Sequence, residues 1–473
     1  MLKTPDLEHI FHPRSVAVVG GSRELIGMAS YFIEELINGN FKGEIYPVNR
    51  NKTEVMGLKS YKNIRDIPGP VDYVIVAIPA KYVPALMRDC AAKKVKACSI
   101  FTAGFGELGT DEGRRLEQEI AETAKEGGVR VIGPNCMGVY CPSSGLCLGT
   151  NLPRRSGHLG LVLQSGGNAI YLSRVAPMRG APISKAVSYG NACDVDESDL
   201  LEYFAQDDET RVIGAYIEGV KDGRRFRESL TKVAQAKPTI LIKGGRTKAG
   251  AATAASHTGS LAGSMSAWAS LARQAGVVQV NSMDELIDLA LLFLYMSPPK
   301  GRRVAMVGVG GGLSVLASDI FSLEHLWLPQ LSDAVKNQLQ ELTPSVGHIY
   351  TNPVDTTAMF FGADTLTKSI KAIDAWDEID MLALQLGYDF LDAYPLSIRE
   401  TLVDSMVEAV KAVSKPSLMI LHCVFSPEAY QTYFRDQQTC WEAGLPAFPS
   451  LQRAARALNR FISYHEEKAS SSA

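Results

Sequence analysis

The chain has 473 residues, of which 46% are hydrophobic and 21% are charged, and its net charge of −3 gives an isoelectric point near 6.3. This length predicts roughly two to four domains, and the charge offers no general attraction to nucleic acid or to an acidic membrane. No apolar run reaches the roughly 18 residues of a membrane helix, and MLKTPDLEHIFHPRS at the N-terminus lacks the apolar core of a signal peptide.

The eight cysteines form no CxxC pair and no zinc-binding spacing. This pattern predicts reduced, buried thiols rather than disulfides or a metal site. Together with the missing signal peptide, it predicts a cytoplasmic protein that binds neither nucleic acid nor membrane.

Short apolar runs alternate with helical segments from the N-terminus onward, which is typical of βα units and parallel sheets. Nearly continuous Val and Ile content indicates strands that are covered on both faces. The first set of predicted strands is SVAVVGGSR, EIYPVNR, VDYVIVAIPA, ACSIFTAGF and VRVIGPN.

The stretch VVGGSRELIG reads as a strand, a glycine turn and a helix start, a geometry that presents backbone N–H groups to phosphate. Its glycines depart from GxGxxG, and the second strand ends YPVNR without an acid. Arg50 is able to hold the extra phosphate of NADP, which keeps an NADP-linked oxidoreductase open. Ser22 and Arg23 suit the phosphates of coenzyme A instead, and a turn that binds nothing is the third interpretation.

Two further sets of strands follow, each after a Gly/Pro-rich break. The second set is LGLVLQ, SKAVSYG, VIGAYIEG and PTILIKGG, with a helix around FRESLTKVAQA. The third set is RVAMVGVGGG, EIDMLALQL and PSLMILHCV. We therefore predict three open α/β domains that meet near residues 145–155 and 298, then a final helix LQRAARALNRFISYHEEK and a frayed ASSSA.

A single histidine, His257, lies in a stretch of small residues from Gly244 to Ser264, which we interpret as a mobile loop able to approach phosphate closely. Glu218 ends the strand VIGAYIEG at the sheet edge where ligands bind, and Lys243 ends the next strand. A histidine with a carboxylate on one ring nitrogen can attack a phosphoryl group through the other. The pattern therefore predicts a phosphohistidine.

Two glycine-rich helix starts are candidates for holding that phosphoryl group, because the first turn of a helix carries unpaired N–H groups and about half a positive charge. One begins at Gln164-Ser165-Gly166-Gly167 and the other at Gly310-Gly311-Gly312. Each is also an ordinary βα turn when considered alone.

Together, GRTKAGAATAASHTGSLAGS, YIEGVKDGRRF, VVGGSRE, YPVNR, GPNCMG and NPVDTTA resemble the nucleoside-diphosphate-forming acyl-CoA synthetases, relatives of succinyl-CoA synthetase. The similarity runs from about residue 8 to 463. It implies an α/β chain with a Rossmann-like CoA-binding domain followed by two flavodoxin-like domains of the succinyl-CoA-synthetase type, over residues 1–145, 155–297 and 299–465. It also implies a reversible conversion of acyl-CoA, ADP and phosphate into acid, CoA and ATP.

The resemblance also implies residue roles. His257 is the nucleophile and Glu218 its carboxylate partner. Phosphate binding falls to Gln164, Ser165, Gly166, Gly167, Gly310, Gly311, Gly312 and Leu313. The residues implied to bind coenzyme A are Gly20, Ser22, Arg23, Val48, Asn49, Ala77, Ile78 and Pro79, with Asn135 beside the thioester. Asn352 and Asp355 resemble a turn that opens a helix near the phosphate site, although Asp355 also suits a plain helix cap.

The ATP-grasp domain of this family has no counterpart in the sequence. We therefore expect an α-type subunit that needs an ATP-grasp β-type partner, in an α2β2 assembly, with Mg²⁺ accompanying ADP or ATP on that partner and no metal on this chain. The identity of the acid stays open. A CoA- or acyl-CoA-binding module without catalysis is the main alternative, and the NADP-linked oxidoreductase is the other.

Overall fold

The computed structural model describes residues 7–20, 28–147, 149, 151–258, 264–308, 311–343, 349–355, 362–388, 396–422 and 427–472. The chain divides into two compact units, one formed by 1–177 with 182–286 and the other by 178–181 with 287–473. In the described part of the chain, every predicted strand is present and the α/β class is confirmed. The three domain ranges stay a prediction.

The strands are β1 (Ser15–Gly20), β2 (Glu44–Val48), β3 (Glu54–Val55), β4 (Leu58–Lys59), β5 (Tyr73–Ala77), β6 (Ala97–Ile100), β7 (Arg130–Ile132), β8 (Gly138–Tyr140), β9 (Leu159–Leu163), β10 (Ile183–Ser188), β11 (Val212–Ile217), β12 (Thr239–Lys243), β13 (Val278–Val280), β14 (Val304–Gly308), β15 (Ile349–Tyr350), β16 (Val354–Asp355), β17 (Met381–Gly387), β18 (Ser417–His422) and β19 (Ala447–Phe448).

The helices are α1 (Glu8–Phe11), α2 (Met28–Asn38), α3 (Val83–Lys93), α4 (Asp111–Gly127), α5 (Gly166–Met178), α6 (Glu197–Gln206), α7 (Gly223–Ala236), α8 (Lys248–Thr258), α9 (Met265–Ala275), α10 (Met283–Tyr295), α11 (Gly311–Leu323), α12 (Asp333–Leu342), α13 (Ala363–Asp374), α14 (Leu396–Lys411), α15 (Pro427–Glu442) and α16 (Leu451–Ser472). Short 3₁₀ helices span Ile64–Asp66, Ala80–Tyr82 and Gly106–Leu108.

The first unit contains two doubly wound sheets. The first sheet is parallel throughout and has the order β2-β1-β5-β6-β7. The second has the order β13-β12-β11-β9-β10-β8, in which only β8 runs antiparallel to its neighbour. In each sheet the first parallel strand, β1 or β9, lies between the next two parallel strands, so the connections on its two sides cover opposite faces and a crevice opens at the carboxyl edge.

Helix α4 illustrates why the sequence folds in this way locally. Thr110 caps its first turn by accepting the Gly113 N–H at 3.1 Å, and Gly128 ends it in the left-handed conformation with φ of 67°. Between the caps, Leu116, Ile120 and Ala124 recur every four residues and are buried. This apolar stripe fixes which face of the helix packs against the first sheet.

The second unit contains the third sheet, with the order β15-β16-β14-β17-β18-β19 and β15 antiparallel. Its first strand, β14, again lies between β16 and β17. The final helix differs from the sequence expectation, because α16 continues to Ser472 through the segment predicted to be frayed. Ala and Ser tolerate a helix without side-chain burial, so the helix extends past its last buried residue, Tyr464.

Seven cysteines lie in the described residues, all as free thiols, and Cys147 and Cys193 are the two that are only partly buried. Cys423 lies outside the described residues. Among the helices that the structure describes, none is both long enough and apolar enough to cross a membrane.

A partly buried ion-pair cluster joins the two sheets of the first unit. Arg130, at the start of β7, donates to Asp194 at 2.9 Å and to Asp199 of α6 at 3.0 Å. Asp194 also accepts the Val131 N–H at 2.7 Å. Because Arg130 belongs to the first sheet and the two aspartates lie in the segment that follows β10 of the second, the cluster links the two sheets.

We predict that Arg130→Ala lowers stability by about 2 kcal/mol, because Asp194 loses its ion-pair partner and the buried Asp199 keeps only Arg225. Arg114→Ala is the matched control: its ion pair with Asp111, at 2.5 Å, is exposed on α4 and should be worth about 0.5 kcal/mol or less. Thermal unfolding midpoints compare the variants. Equal losses in both would contradict a role for the cluster in joining the sheets.

Candidate functional site

A cleft of about 280 Å³ opens at the carboxyl edge of the first sheet, beyond the last residues of β1 and β5. Five of the residues predicted for coenzyme A line it, namely Gly20, Val48, Asn49, Ile78 and Pro79. Ala77 is fully buried at the end of β5 and does not reach the cleft. Ser22 and Arg23 lie outside the described residues.

Gly20 has a packing reason to be glycine. A Cβ at this position would overlap the Ala29 side chain and lie 3.2 Å from the Ala77 carbonyl oxygen. Helix α2 can therefore begin close against β1 only because the side chain is absent.

The cleft also contains residues that the sequence pattern did not predict. Lys62 and Asn63 enter from the segment after the β3–β4 hairpin, and Tyr82 enters from the 3₁₀ helix before α3. Arg50, assigned above only to NADP, lines the same cleft. A lysine and an arginine at one sheet edge indicate a phosphorylated ligand. The sequence alone did not indicate this pair, because only the position of the β3–β4 hairpin in the fold brings Lys62 close to Arg50 in the cleft.

A second cavity, of about 650 Å³, connects the carboxyl edges of the two sheets in the first unit. Asn135 and the whole Gln164–Gly167 segment line it, together with Thr102, Met137 and Gly190. Pro79 lines both this cavity and the first cleft. The predicted thioester residue and one predicted phosphate-binding helix start are thus adjacent.

Asn135 is held in a left-handed backbone conformation, with φ of 57°. Its N–H donates to the Thr102 carbonyl at 3.0 Å, and its side chain lies 3.5 Å from the Asn191 side-chain oxygen. Gly190, with φ of 55°, packs so tightly that a Cβ would overlap the carbonyl oxygens of Pro134 and Asn135. The loop that carries Asn135 is therefore fixed by close backbone contacts from both sheets.

Helix α5 begins at the cavity. A Cβ on Gly166 would lie 2.8 Å from the Met137 side chain, whereas one on Gly167 would meet nothing within 4 Å. Close packing against Met137 thus requires a glycine at position 166, whereas Gly167 leaves the first turn of α5 open to the cavity. The exposed N–H groups and the positive end of the helix dipole make this a suitable place for an anion.

Gln164 has a different contact from the rest of this segment. Its side-chain oxygen accepts the N–H of Glu218 at 2.7 Å and of Gly219 at 3.2 Å. It therefore joins the end of β9 to the end of β11 across the crevice, which leaves only its side-chain NH₂ for a ligand.

Glu218 directly follows β11 and is 5% exposed. The Tyr216 hydroxyl lies beside it, and burial together with the Glu218 charge raises the pKa of Tyr216 to about 12. Tyr216 consequently stays a neutral hydrogen-bond donor at physiological pH. Glu218 and Gln164 occupy the switch point of the second sheet, as predicted from their positions after the strands.

The histidine segment is not the loop that the sequence suggested. Residues Lys248–Thr258 form α8, and His257 is part of it; the structure describes its backbone but not its side chain. Alanine has the highest helix propensity, and the five alanines in KAGAATAASHT outweigh its one glycine. Thr247 supports the start by accepting the Gly250 N–H at 3.0 Å. Helix α8 packs against the 3₁₀ helix Gly106–Leu108.

The other predicted phosphate site lies in the second unit. Gly311, Gly312 and Leu313 form the first turn of α11, and a Cβ on Gly312 would meet nothing within 4 Å. Gly310 lies outside the described residues. The idea that the starts of α5 and α11 bind one phosphate stays a prediction.

Asn352 has a structural contact in the same unit. Its side chain accepts the Met306 N–H at 2.9 Å and donates to the Val304 carbonyl at 2.7 Å, so it continues the hydrogen bonding of β14. Asp355 ends β16 beside Gly308, the last residue of β14. Among the described residues of both units, no group of three His, Cys, Asp or Glu side chains is arranged to hold a metal ion.

Two family descriptions match the N-terminal three fifths of the chain. Residues 14–142 match the family described as a CoA binding domain, and residues 156–293 match the succinyl-CoA ligase-like flavodoxin domain.

Full-length similarity is also extensive. The alpha subunit of ADP-forming acetate–CoA ligase I from Pyrococcus furiosus is 36% identical over 98% of both chains. ADP-forming acetate–CoA ligase I from Archaeoglobus fulgidus is 35% identical over 82% of this chain, which covers 56% of that protein. The structure of acetyl-coenzyme A synthetase 1 from Candidatus Korarchaeum cryptofilum, in complex with phosphate and ADP, is 30% identical with a TM-score of 0.83 over 98% of both chains.

We predict that Gly190→Ala destabilises the protein by about 3 kcal/mol, because the added methyl combines a strained left-handed backbone with overlap against the Asn135 loop. Gly128→Ala is the matched control, since Gly128 has φ of 67° but open space around it; it should cost about 1 kcal/mol. Thermal unfolding distinguishes the two. A Gly190→Ala protein no less stable than Gly128→Ala would show that the Asn135 loop yields easily.

Proposed function

The chain belongs to the family of ADP-forming acetate–CoA ligase alpha subunits, and on this premise we propose that it interconverts acyl-CoA and carboxylic acid by way of an acyl phosphate and a phosphohistidine at His257. The observation that carries the proposal is the second cavity. It brings Asn135, the start of α5 and the edge of the first-sheet cleft together around one space.

The first step exchanges sulfur for phosphate at the acyl carbon. CoA lies in the first-sheet cleft with its thioester in the second cavity beside Asn135. An oxygen of phosphate, held at the first turn of α5, attacks the acyl carbonyl, the C–S bond breaks, and the CoA thiolate leaves and takes up a proton. Asn135 is suited to donate a hydrogen bond to the carbonyl oxygen as negative charge develops there.

The second step moves the phosphoryl group to the chain itself. A ring nitrogen of His257 attacks the phosphorus of the acyl phosphate, the bond to the acyl oxygen breaks, and the carboxylate leaves. Glu218 accepts a hydrogen bond from the other ring nitrogen and stabilises the positive charge that forms on the imidazole. The N–H groups at the start of α5 bind the phosphoryl oxygens.

The third step delivers the phosphoryl group to a nucleoside diphosphate and requires movement of α8. Among residues 248–254, Ala254 is the one buried side chain. A helix with so little apolar burial separates from its neighbours at low cost. The adjoining Lys243 and Trp268 are buried and provide fixed ends for that motion.

The nucleotide site belongs, in this proposal, to an ATP-grasp β-type partner in an α2β2 assembly, where Mg²⁺ accompanies ADP. Two facts about relatives support it: the Pyrococcus protein is named as a subunit, and the Archaeoglobus ligase is a longer chain of which this one covers 56%. We place the protein in the cytoplasm, where CoA, ADP and reduced thiols are available together.

We predict that the full chain, incubated with acetyl-CoA or another short acyl-CoA and radiolabelled phosphate, acquires one acid-labile, alkali-stable phosphoryl group on His257. His257→Ala should abolish the label because the acceptor nitrogen is gone. Glu218→Gln should slow labelling by about 10²-fold, since the imidazole loses a charged partner. Quench-flow labelling and peptide mass spectrometry measure rate and position.

His12→Ala serves as the control, because His12 is partly exposed near Glu8 in the N-terminal segment, far from the second sheet in sequence and absent from both cavities. It should label like the wild type. Saturable acyl-CoA binding without any phosphoryl transfer, across a panel of acyl-CoAs, would instead identify a non-catalytic acyl-CoA-binding module and overturn the proposal.

A further inference from the structure

Lys243 is a charged side chain in the interior of the first unit. It is the last residue of β12 and has 0% exposure. A buried ammonium group is costly unless hydrogen bonds and charges compensate it. None of the proposed chemical steps uses its ammonium group, so the reason for its burial lies in what that group contacts.

The Lys243 ammonium group makes three contacts. It donates to the main-chain carbonyl of Glu218 at 2.6 Å and to the carbonyl of Gly244, and it lies 5.1 Å from the centre of the Trp268 ring. Burial lowers the pKa of Lys243, and the charge of Glu218 opposes this effect. The contacts are thus two carbonyl dipoles, an aromatic face and a nearby carboxylate, all of which favour a cation.

These contacts all belong to the histidine site. Gly244 is the first residue of the small-residue segment 244–264, and Trp268 lies in α9, four residues beyond its end. Trp268 is itself anchored by Phe226, with ring centres 5.4 Å apart. One ammonium group therefore holds the position from which the His257 segment departs and the helix to which it returns.

Both main-chain polar groups of Glu218 are hydrogen-bonded to buried side chains. Gln164 accepts its N–H at 2.7 Å, and Lys243 donates to its carbonyl at 2.6 Å. A Cβ on Gly244 would lie 3.0 Å from the Glu218 Cγ, so the first carbons of the carboxylate side chain rest against the same residue whose carbonyl Lys243 binds. The direction of the carboxylate depends on this arrangement.

We propose that Lys243 is a positioning residue of the phosphoryl-transfer site, which fixes Glu218 and both attachment points of the segment that carries His257. The inference rests on the proposed function. It specifies how Glu218 and the two ends of the His257 segment keep their positions while α8 moves. Misplacement of a catalytic partner by about 1 Å can cost on the order of 10²-fold in rate.

A matched control lies at the opposite end of the same region. Lys237, just before β12, also donates to two main-chain carbonyls, those of Phe204, at 2.7 Å, and Asp207. Burial lowers its pKa as well. Lys237→Met therefore removes an equivalent structural contact at the amino edge of the sheet, away from Glu218.

The experiment compares the wild type, Lys243→Met, Lys237→Met, Glu218→Gln and the double variant Glu218→Gln/Lys243→Met as full chains, using the His257 labelling assay with acyl-CoA and phosphate. Lys243→Met should lower the labelling rate by at least about tenfold with the apparent KM for acyl-CoA unchanged within about twofold. Lys237→Met should label at the wild-type rate even if both lysine variants lose similar thermal stability.

The double variant tests whether Lys243 acts through Glu218. It should be no slower than Glu218→Gln alone, within about twofold, because residues that act through one another are not additive. If the wild type is labelled, two results overturn the inference. One is a Lys243→Met labelling rate equal to that of the wild type, and the other is an equal loss of labelling rate in Lys243→Met and Lys237→Met. An unlabelled wild type overturns the proposed function instead. If Lys243→Met does not fold, Lys243→Gln takes its place with the same criteria.

Discussion

Each of the three large sheets places its first parallel strand, β1, β9 or β14, between the next two parallel strands of the chain. The connections on the two sides of that strand cover opposite faces of the sheet, so a crevice forms at the carboxyl edge where they separate. In the first unit this geometry places Gly20 and Pro79 around one cleft, and Gln164 and Glu218 around the next crevice. The chemical groups of the proposed site are at these positions because parallel strands all end at the same edge.

The two crevices of the first unit form one working region because their sheets are fixed to each other. The ion pairs of Arg130 with Asp194 and Asp199 join β7 to α6. On the other side of this junction, Gly190 packs against the loop that carries Asn135. A ligand as long as coenzyme A can then extend from the first cleft past Pro79 toward the start of α5, because both sheets form the walls of the second cavity.

Rigid and weakly held parts alternate along the second sheet. Glu218 is fixed by Gln164, Lys243 and Gly244, all of which are buried or nearly so. Helix α8 begins five residues after Lys243, and in its described part, residues 248–254, Ala254 is the one buried side chain. The proposed phosphoryl transfer between separate sites needs this combination, since in that mechanism the carboxylate keeps one direction while the histidine moves.

The sequence by itself determined the α/β class, the main strands and the positions of Glu218 and the two glycine helix starts, because these depend on local apolar runs and on residues that directly follow a strand. The short strands β8, β13 and β19 escaped prediction because two or three residues are too few to show a period, although β7, equally short, was predicted from VRVIGPN. A loop was expected around His257 because small residues suggest flexibility. The segment Lys248–Thr258 instead forms α8, since its small residues are mostly alanine, which has a high helix propensity, and only one is glycine. Tertiary structure alone decided that Asn135 faces Gly167 across one cavity, that Gln164 holds Glu218, and that Lys243 lies beneath both ends of the histidine segment. Apart from the contact between the neighbours Lys243 and Gly244, these contacts join residues more than twenty positions apart, and only the tertiary fold brings them together.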